Sequence, residues 1–505
     1  MSANSKRRNK KVIVVGAGLG GLSAAISLKA EGFDVELIEK NEQIGGKLNF
    51  KEIEGFGFDL GPSIFTLPQF FEDLWERAGR KMSDYVRLQK VTPHWRNFFE
   101  DGKVIDLYEE MDLMKEELKK LPGDLDKNWA EFQAFLEYGR EQYALTDEGY
   151  FAKGLDNVWE MLRHYGWRLI FKMDHGNTMS ESIEKRIEDR YLKLIFEYFI
   201  KYVGSSARDA PGYMNLMSLI QFDYGLWYVE GGMYNLAKGL GRLLDDLGIP
   251  VRLNSEVASI DQSGKRVTGV TLANGETLLS DYVVCNMEVI PAYKRLLSEP
   301  PAFMKKLEKF APACSGLVIH LGTDKVYEQL AHHNFFYSQN QNKHFDSVFQ
   351  QGKLPEDPTI YLVAPTRTDP SKAPPGHDNI KILPHIPPIN PDNPHTHEEY
   401  MALKERVIDK LERMGLTDLR KHTVVEDVLT PVDIERMYYS NRGSIYGVVS
   451  DWEKNQAFKA PKQSSKYRNL FFTGGSVNPG GGMPMVILCG QKAADRVVKE
   501  DARRG

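Results

Sequence analysis

The stretch GAGLGG at 16–21 sets Gly16, Gly18 and Gly21 in the pattern G-x-G-x-x-G, and Glu39 follows 18 residues after the last of them. This spacing suits the binding of a dinucleotide. The first glycine makes a tight turn, the second lets a pyrophosphate approach the backbone, and the third packs helix on strand. Ala17, Leu19 and Gly20 lend backbone to the same turn. Glu39 stands where a carboxylate accepts from ribose hydroxyls, and its charge would repel a 2′-phosphate, which disfavours NADP. Lys40 adjoins it. Gly45, Gly46 and Lys47 in IGGKL give a second close backbone approach beyond the ribose acid, an arrangement suited to a tightly held flavin. Gly61, Pro62 and Ser63 in FDLGPSIFTLP offer a further turn beside the same pocket, and Val257 completes the expected cofactor contacts in mid-chain.

The C-terminal end adds a third glycine cluster. NLFFTGG ends in Gly474 and Gly475, and NPGGGMP (478–484) places three glycines before an apolar run. Pro484 fits the first turn of a helix, where its missing N–H costs nothing. The backbone from Gly482 through Met483 and Met485 to Val486 is then expected to face the flavin, with a helix dipole favouring the negative charge of the reduced ring. The glycines read as a cradle that lets backbone meet ring, so that Gly481→Val is expected to cost flavin occupancy before it costs folding. Apart from these loops the chain shows no Ser-His-Asp grouping, metal-ligand spacing or Walker loop, which leaves the difficult chemistry to the cofactor.

The elements that must hold these residues follow from hydrophobic patterning. VIVVG (12–16) predicts a strand, LSAAISLKAEG (22–32) a helix with Ala25 and Leu28 on its packing face, and VELIEK (35–40) a second strand, together a βαβ unit. Residues 110–222 turn mostly helical. Residues 248–286 read as short strands and hairpins with turns at Ser263-Gly264 and Asn274-Gly275. The Pro- and His-rich stretch 365–397 predicts a surface loop region. The fold class is α/β: a dinucleotide-binding domain from 10–80, 225–300 and 465–505, a mixed-sheet substrate domain from 81–110 and 301–464, and a helical, membrane-facing region at 111–224.

Composition bounds the rest. The 505 residues, 42% hydrophobic and 27% charged, suffice for two or three lobes. A net charge of −5 argues against nucleic acid as a partner. Three separated cysteines, Cys285, Cys314 and Cys489, read as buried thiols of a reducing compartment. No apolar run approaches the length of a membrane span, which predicts a cytoplasmic protein, peripheral on the inner face of the cell membrane.

At its two ends, in GAGLGGLSAAISLKAEGFDVELIEKNEQIGGK and NLFFTGGSVNPGGGMPMVILCGQ, the chain resembles the bacterial-type phytoene desaturases, within the wider FAD-dependent amine oxidase-like group. KYVGSSARDAP (201–211), GLWYVEGG (225–232), NMEVIP (286–291), AHHNFF (331–336), GLTDLRKH (415–422) and NRGSIYGVV (441–449) are similar to the C30 carotenoid oxygenase branch of that family. The resemblance spans about residues 10 to 500. It implies FAD as cofactor, a linear C30 carotenoid as substrate, and oxidation of terminal methyl groups to aldehydes; the chemistry expected of the flavin is hydride removal from the allylic methyl, with water or oxygen activated at the flavin supplying the oxygen atom. Two other readings of the scaffold stay open: a C30 carotenoid desaturase, and a non-catalytic isoprenoid-binding protein. An amine oxidase ranks low, because Cys489 falls too far along the last helix for the usual flavin attachment.

Side-chain candidates for catalysis are few. His333 could carry a proton near the flavin, whereas adjacent His332 points to the opposite face of a strand and cannot chelate with it. His395 and His397 read as solvated. Arg442, Ser444 and Tyr446 alternate and are expected on one strand face, near the substrate end of the flavin as the resemblance implies. NVWEMLRHYGWRLIFKM (157–173) mixes Trp159, Trp167 and Phe171 with basic residues, which suits a membrane interface. The basic segment 5–11 reads as a leader with a minor attraction to lipid.

Overall fold

The computed structural model describes residues 10–170 and 172–503. A five-stranded parallel sheet lies at its centre, in the order Leu470–Phe472, Tyr282–Cys285, Lys11–Val15, Asp34–Ile38, Val251–Arg252. The strands read as near-continuous apolar runs because both faces are covered; Val12, Ile13, Val14 and Val283 are fully buried. The first helix, Leu19–Ala30, packs beneath the sheet against the last helix, Met483–Ala502. Gly490 makes this contact close, since a Cβ there would stand 2.5 Å from the Gly20 carbonyl. The first helix starts three residues before its predicted boundary, directly after the glycine turn.

The hairpins of 248–286 fold as expected into Val257–Ser263, Arg266–Leu272 and Thr277–Leu279, a three-stranded antiparallel sheet, after which the chain returns to the central sheet as Tyr282–Cys285. The predicted helical stretch is present, with Leu125–Thr146, Arg190–Tyr198 and Leu216–Tyr224 packing into one large core. Phe171 and the greater part of the 5–11 segment lie outside the described residues.

A second, mixed sheet runs in the order Thr423–Leu429, Val318–Thr323, Asp378–Ile386, Ile360–Val363, His333–Phe336, Trp95–Phe98, Val104–Leu107. Its long inner strand, Asp378–Ile386, corrects the reading of 365–397 as surface loop. Flanking prolines and histidines hid a strand whose Ile380, Ile382 and Ile386 are fully buried. Pro384, which cannot donate, sits where the neighbouring strand breaks: its carbonyl accepts from Leu317 N, between the short pair Ser315–Gly316 and the strand that starts at Val318. Among the described residues no helix is long and apolar enough to cross a membrane.

Candidate functional site

Two cavities meet between the sheets. The first, of about 290 Å³, is lined by Gly16, Gly18, Leu19, Gly20, Glu39, Lys40, Gly45, Gly46, Lys47, Gly61, Pro62 and Val257 at one side and by Tyr446, Gly474, Gly475, Gly482, Met483 and Val486 at the other. Positions from opposite ends of the chain thus line one cavity. Ala17 and Gly21 support its wall from behind, while Ser63 and Met485 line the second cavity instead.

Local geometry explains the glycines. Gly16 turns at φ +94°, and its N–H donates to the Ile38 carbonyl, 2.7 Å. A Cβ on Gly21 would stand 2.0 Å from the Gly16 carbonyl, so the third glycine is fixed by helix-on-turn packing. Gly46 passes so close to Gly18 that a Cβ would stand 2.9 Å from its Cα. The helix Leu19–Ala30 begins at Gly18 with no side-chain cap, leaving its first N–H groups to an anion. The last helix begins at Gly482 in the same uncapped way, with Pro484 in its first turn. Glu39 is buried, and its two oxygens accept from Ala17 N at 2.7 Å and Asn41 N at 2.9 Å, which fixes the carboxylate at the cavity edge. Such a cradle, with uncapped helix starts facing it and an acid at one end, fits FAD. Lys47 is held by Glu288 at 3.1 Å and the Ser444 carbonyl at 2.8 Å, and Lys40 lies 4.3 Å over the Tyr439 ring.

The second cavity, of about 170 Å³, is mostly apolar, with Ile64, Leu67, Phe151, Met214, Met217 and Ile220 among its walls. Gly61, Pro62, Lys381, Leu383, Tyr446, Gly481, Gly482 and Met483 line both spaces and form their junction. Lys381 donates to the Gly61 carbonyl and to Ser63 Oγ. Burial pulls its pKa down to about 8, against the attraction of Asp59. Burial raises the pKa of Asp59, which accepts from Met233 N and Tyr234 N.

The three candidate catalytic side chains do not converge. Tyr446 stands at the junction, its phenol pushed up by burial. His333 lines neither cavity; it lies behind Tyr361, whose hydroxyl is 2.9 Å from its Nδ1, and burial holds the imidazole neutral. Arg442 also lines neither cavity. Residues 441–443 form a 3₁₀ turn with Arg442 at φ +58°, rather than the expected strand, and its guanidinium donates to the Ile389 carbonyl. Ser444 closes a local turn with Gly447, so the three residues share no face. A glycine on each side of Tyr446 bends the chain where strand alternation was expected, with Gly443 at φ +69° and Gly447 at φ +85°.

Residues with weaker sequence signals complete the site. Asn286 follows the strand Tyr282–Cys285, and its side chain fills the space that Cβ atoms on Gly18 or Gly20 would enter, at 2.7 and 2.6 Å. Lys381 sits on the strand concealed in the Pro-rich stretch. Lys201 lines the second cavity from the segment after Arg190–Tyr198. Cys489 is buried and lines neither space, and no cluster of three metal-ligating side chains occurs among the described residues.

A βαβ turn, a buried acid at its second strand and a C-terminal helix start on one cavity define a flavoprotein oxidoreductase. The chain belongs to the flavin containing amine oxidoreductase family, whose model matches residues 19–498, and its cofactor is FAD. It is 56% identical over 494 residues to a 4,4′-diapolycopene oxygenase of Methylomonas sp, covering 97% of this chain and 99% of that protein. It is 49% identical over 490 residues to a 4,4′-diaponeurosporene oxygenase of Staphylococcus haemolyticus, covering 97% of each. Among solved structures, an oxidoreductase from Methanosarcina mazei superposes with TM-score 0.64 at 15% identity, covering 96% of this chain and 100% of that one. A putrescine oxidase bound to putrescine gives 0.65 at 15% identity, covering 97% and 99%. These two likenesses establish the fold.

Proposed function

We propose that this protein oxidises terminal methyl groups of linear C30 carotenoids to aldehydes. The observation that carries the reading is the junction: an apolar cavity long in aliphatic and aromatic walls opens onto the cofactor cavity at Tyr446, Gly481, Gly482 and Met483. Relatives near half identity over almost the whole chain carry carotenoid oxygenase names. When bound, FAD supplies two-electron oxidation. The residues of this chain hold and shield it. Glu39 anchors the ribose end, the uncapped starts at Gly18 and Gly482 receive negative charge, and Met483 and Tyr446 stand between the cofactor space and the apolar cavity. The apolar walls align a polyene end-on by burial rather than by hydrogen bonds, as a hydrocarbon end requires.

A polyene reaches such a cavity from a bilayer. Trp159 and Trp167 are 78% and 70% exposed on the helical stretch Val158–Ile170, a surface suited to the headgroup layer. The protein is accordingly read as docking on the membrane surface.

The test is incubation of the FAD-loaded protein with diaponeurosporene in liposomes and mass spectrometry of the products. Gain of one oxygen with loss of two hydrogens per oxidised end is expected. Loss of hydrogens alone would overturn the oxygenase reading in favour of desaturation, and an unchanged polyene would overturn both.

A further inference from the structure

Lys201 is 4% exposed, yet it lines the apolar cavity. Its Nζ lies 3.9 Å from the centroid of Tyr361, 4.0 Å from Phe335, 4.6 Å from Trp95 and 5.2 Å from Tyr202. Among the described residues no carboxylate pairs with this amine, and burial alone drives its pKa well below the ordinary value. The hydroxyls on the surrounding rings are already engaged, Tyr361 with His333 at 2.9 Å and Tyr202 with Gln221 at 2.9 Å. The ring faces attract the amine when it is charged, but among the described residues no oxygen or nitrogen accepts from its N–H groups, and a buried donor left without an acceptor is costly.

The segment that carries the amine also runs beside the cofactor end of the cavity. The carbonyl of its neighbour Tyr202 lies 3.5 Å from the place of a Cβ on Gly482, and Gly204 abuts the Tyr446 ring. A hydrocarbon chain end offers this amine nothing. A hydroxyl or carbonyl oxygen on the same end offers it a partner. We infer that Lys201 is a specificity-determining contact for the oxygen-bearing end of the substrate, hydrogen-bonding the hydroxyl or carbonyl oxygen of the partly oxidised polyene. The first product is thereby held in place for the second oxidation. This inference rests on the carotenoid reading above.

The discriminating experiment compares wild type, K201M, K201L and K201Q as FAD-loaded protein. Binding of a terminal polyene aldehyde and of the parent hydrocarbon is measured by the polyene absorption band, alongside the alcohol-to-aldehyde product ratio. Losing one hydrogen bond to a buried amine corresponds to about a tenfold change in affinity. K201M and K201L are expected to bind the aldehyde about tenfold more weakly, to bind the hydrocarbon as well as wild type, and to accumulate alcohol. K201Q, with a hydrogen-bonding amide, recovers most of the aldehyde affinity. Both apolar variants remove a buried amine from a ring-lined site, so flavin content stays at the wild-type level. Equal loss of both ligands, or unchanged aldehyde affinity in either apolar variant, overturns the inference. Failure of the wild type to oxygenate any polyene would overturn the functional reading instead, while the binding comparison would still report on Lys201.

Discussion

Two adjacent glycines separate packing from cofactor contact. A Cβ added at Gly481 would stand 2.2 Å from the Tyr446 carbonyl oxygen and 3.0 Å from its carbon, both backbone atoms that cannot rotate away. Restoring ordinary contact requires the loop and the Tyr446 segment to part by about 1 Å, an overpacking penalty of about 1–3 kcal/mol. Gly482 differs. Its φ is +95° with ψ 141°, a conformation essentially reserved for glycine, and the nearest atom to an added Cβ is the Tyr202 carbonyl at 3.5 Å, so alanine meets backbone strain of about 1–3 kcal/mol without a clash. The penalty at Gly481 therefore exists whether or not flavin is bound. This reverses the order expected from the sequence, in which the same glycine yields to the flavin first.

The assay is thermal unfolding of Gly481→Ala with flavin bound and with flavin stripped. An unfolding entropy of about 2.1 cal/mol/K per residue makes 1 kcal/mol worth about 1 °C in a chain of this length. Gly481→Ala should lower both transitions by about 1–3 °C, with flavin loss following from the opened loop. A stripped variant that melts with the wild type and loses only flavin would refute the argument, because the excluding group would then be the ring and not the Tyr446 carbonyl.

Glu39→Gln keeps one acceptor oxygen for two backbone donors, and a lost charge-assisted hydrogen bond is worth about 1.5–3 kcal/mol, so FAD affinity by fluorescence titration should fall about 10- to 100-fold; an unchanged affinity would contradict the anchoring role. Lys381 has its folded pKa depressed to about 8, so between that value and the ordinary 10.5 the unfolded chain binds more protons and stability rises with pH. Any stability advantage of Lys381→Met over wild type should be largest below pH 8 and shrink toward pH 10, by about 1.4 kcal/mol per unit; a difference in melting temperature flat across this window would show that the amine is not desolvated as described. Replacing Trp159 and Trp167 together by serine should reduce flotation with anionic liposomes while leaving the melting temperature unchanged, since both are exposed. Undiminished flotation would remove this helix from the docking surface.

The parts of the site legible in the sequence are those where one backbone conformation demands one residue type. Gly16 at φ +94°, Gly21 against a carbonyl and Glu39 between two N–H donors are local constraints, and each leaves its mark at a fixed spacing. The apolar cavity has no such mark. Its walls are ordinary hydrophobic residues whose spacing reports only that they are buried, and its amines, Lys201 and Lys381, acquire meaning from rings and strands distant in sequence. The strand carrying Lys381 was obscured because proline and histidine near both its ends mimic a loop, while the pairing that tolerates Pro384 depends on a break at Leu317 some 67 residues away. The error at Arg442 has the same origin. Alternation in NRGSIYG predicts a strand, but Gly443 and Gly447 take positive φ to meet Pro431 and Gly475, contacts fixed by the fold rather than by neighbouring residues. Local rules thus mark the glycine-lined cavity and its acid. What the protein does with a substrate depends on the meeting of two sheets at Tyr446, which those rules do not encode.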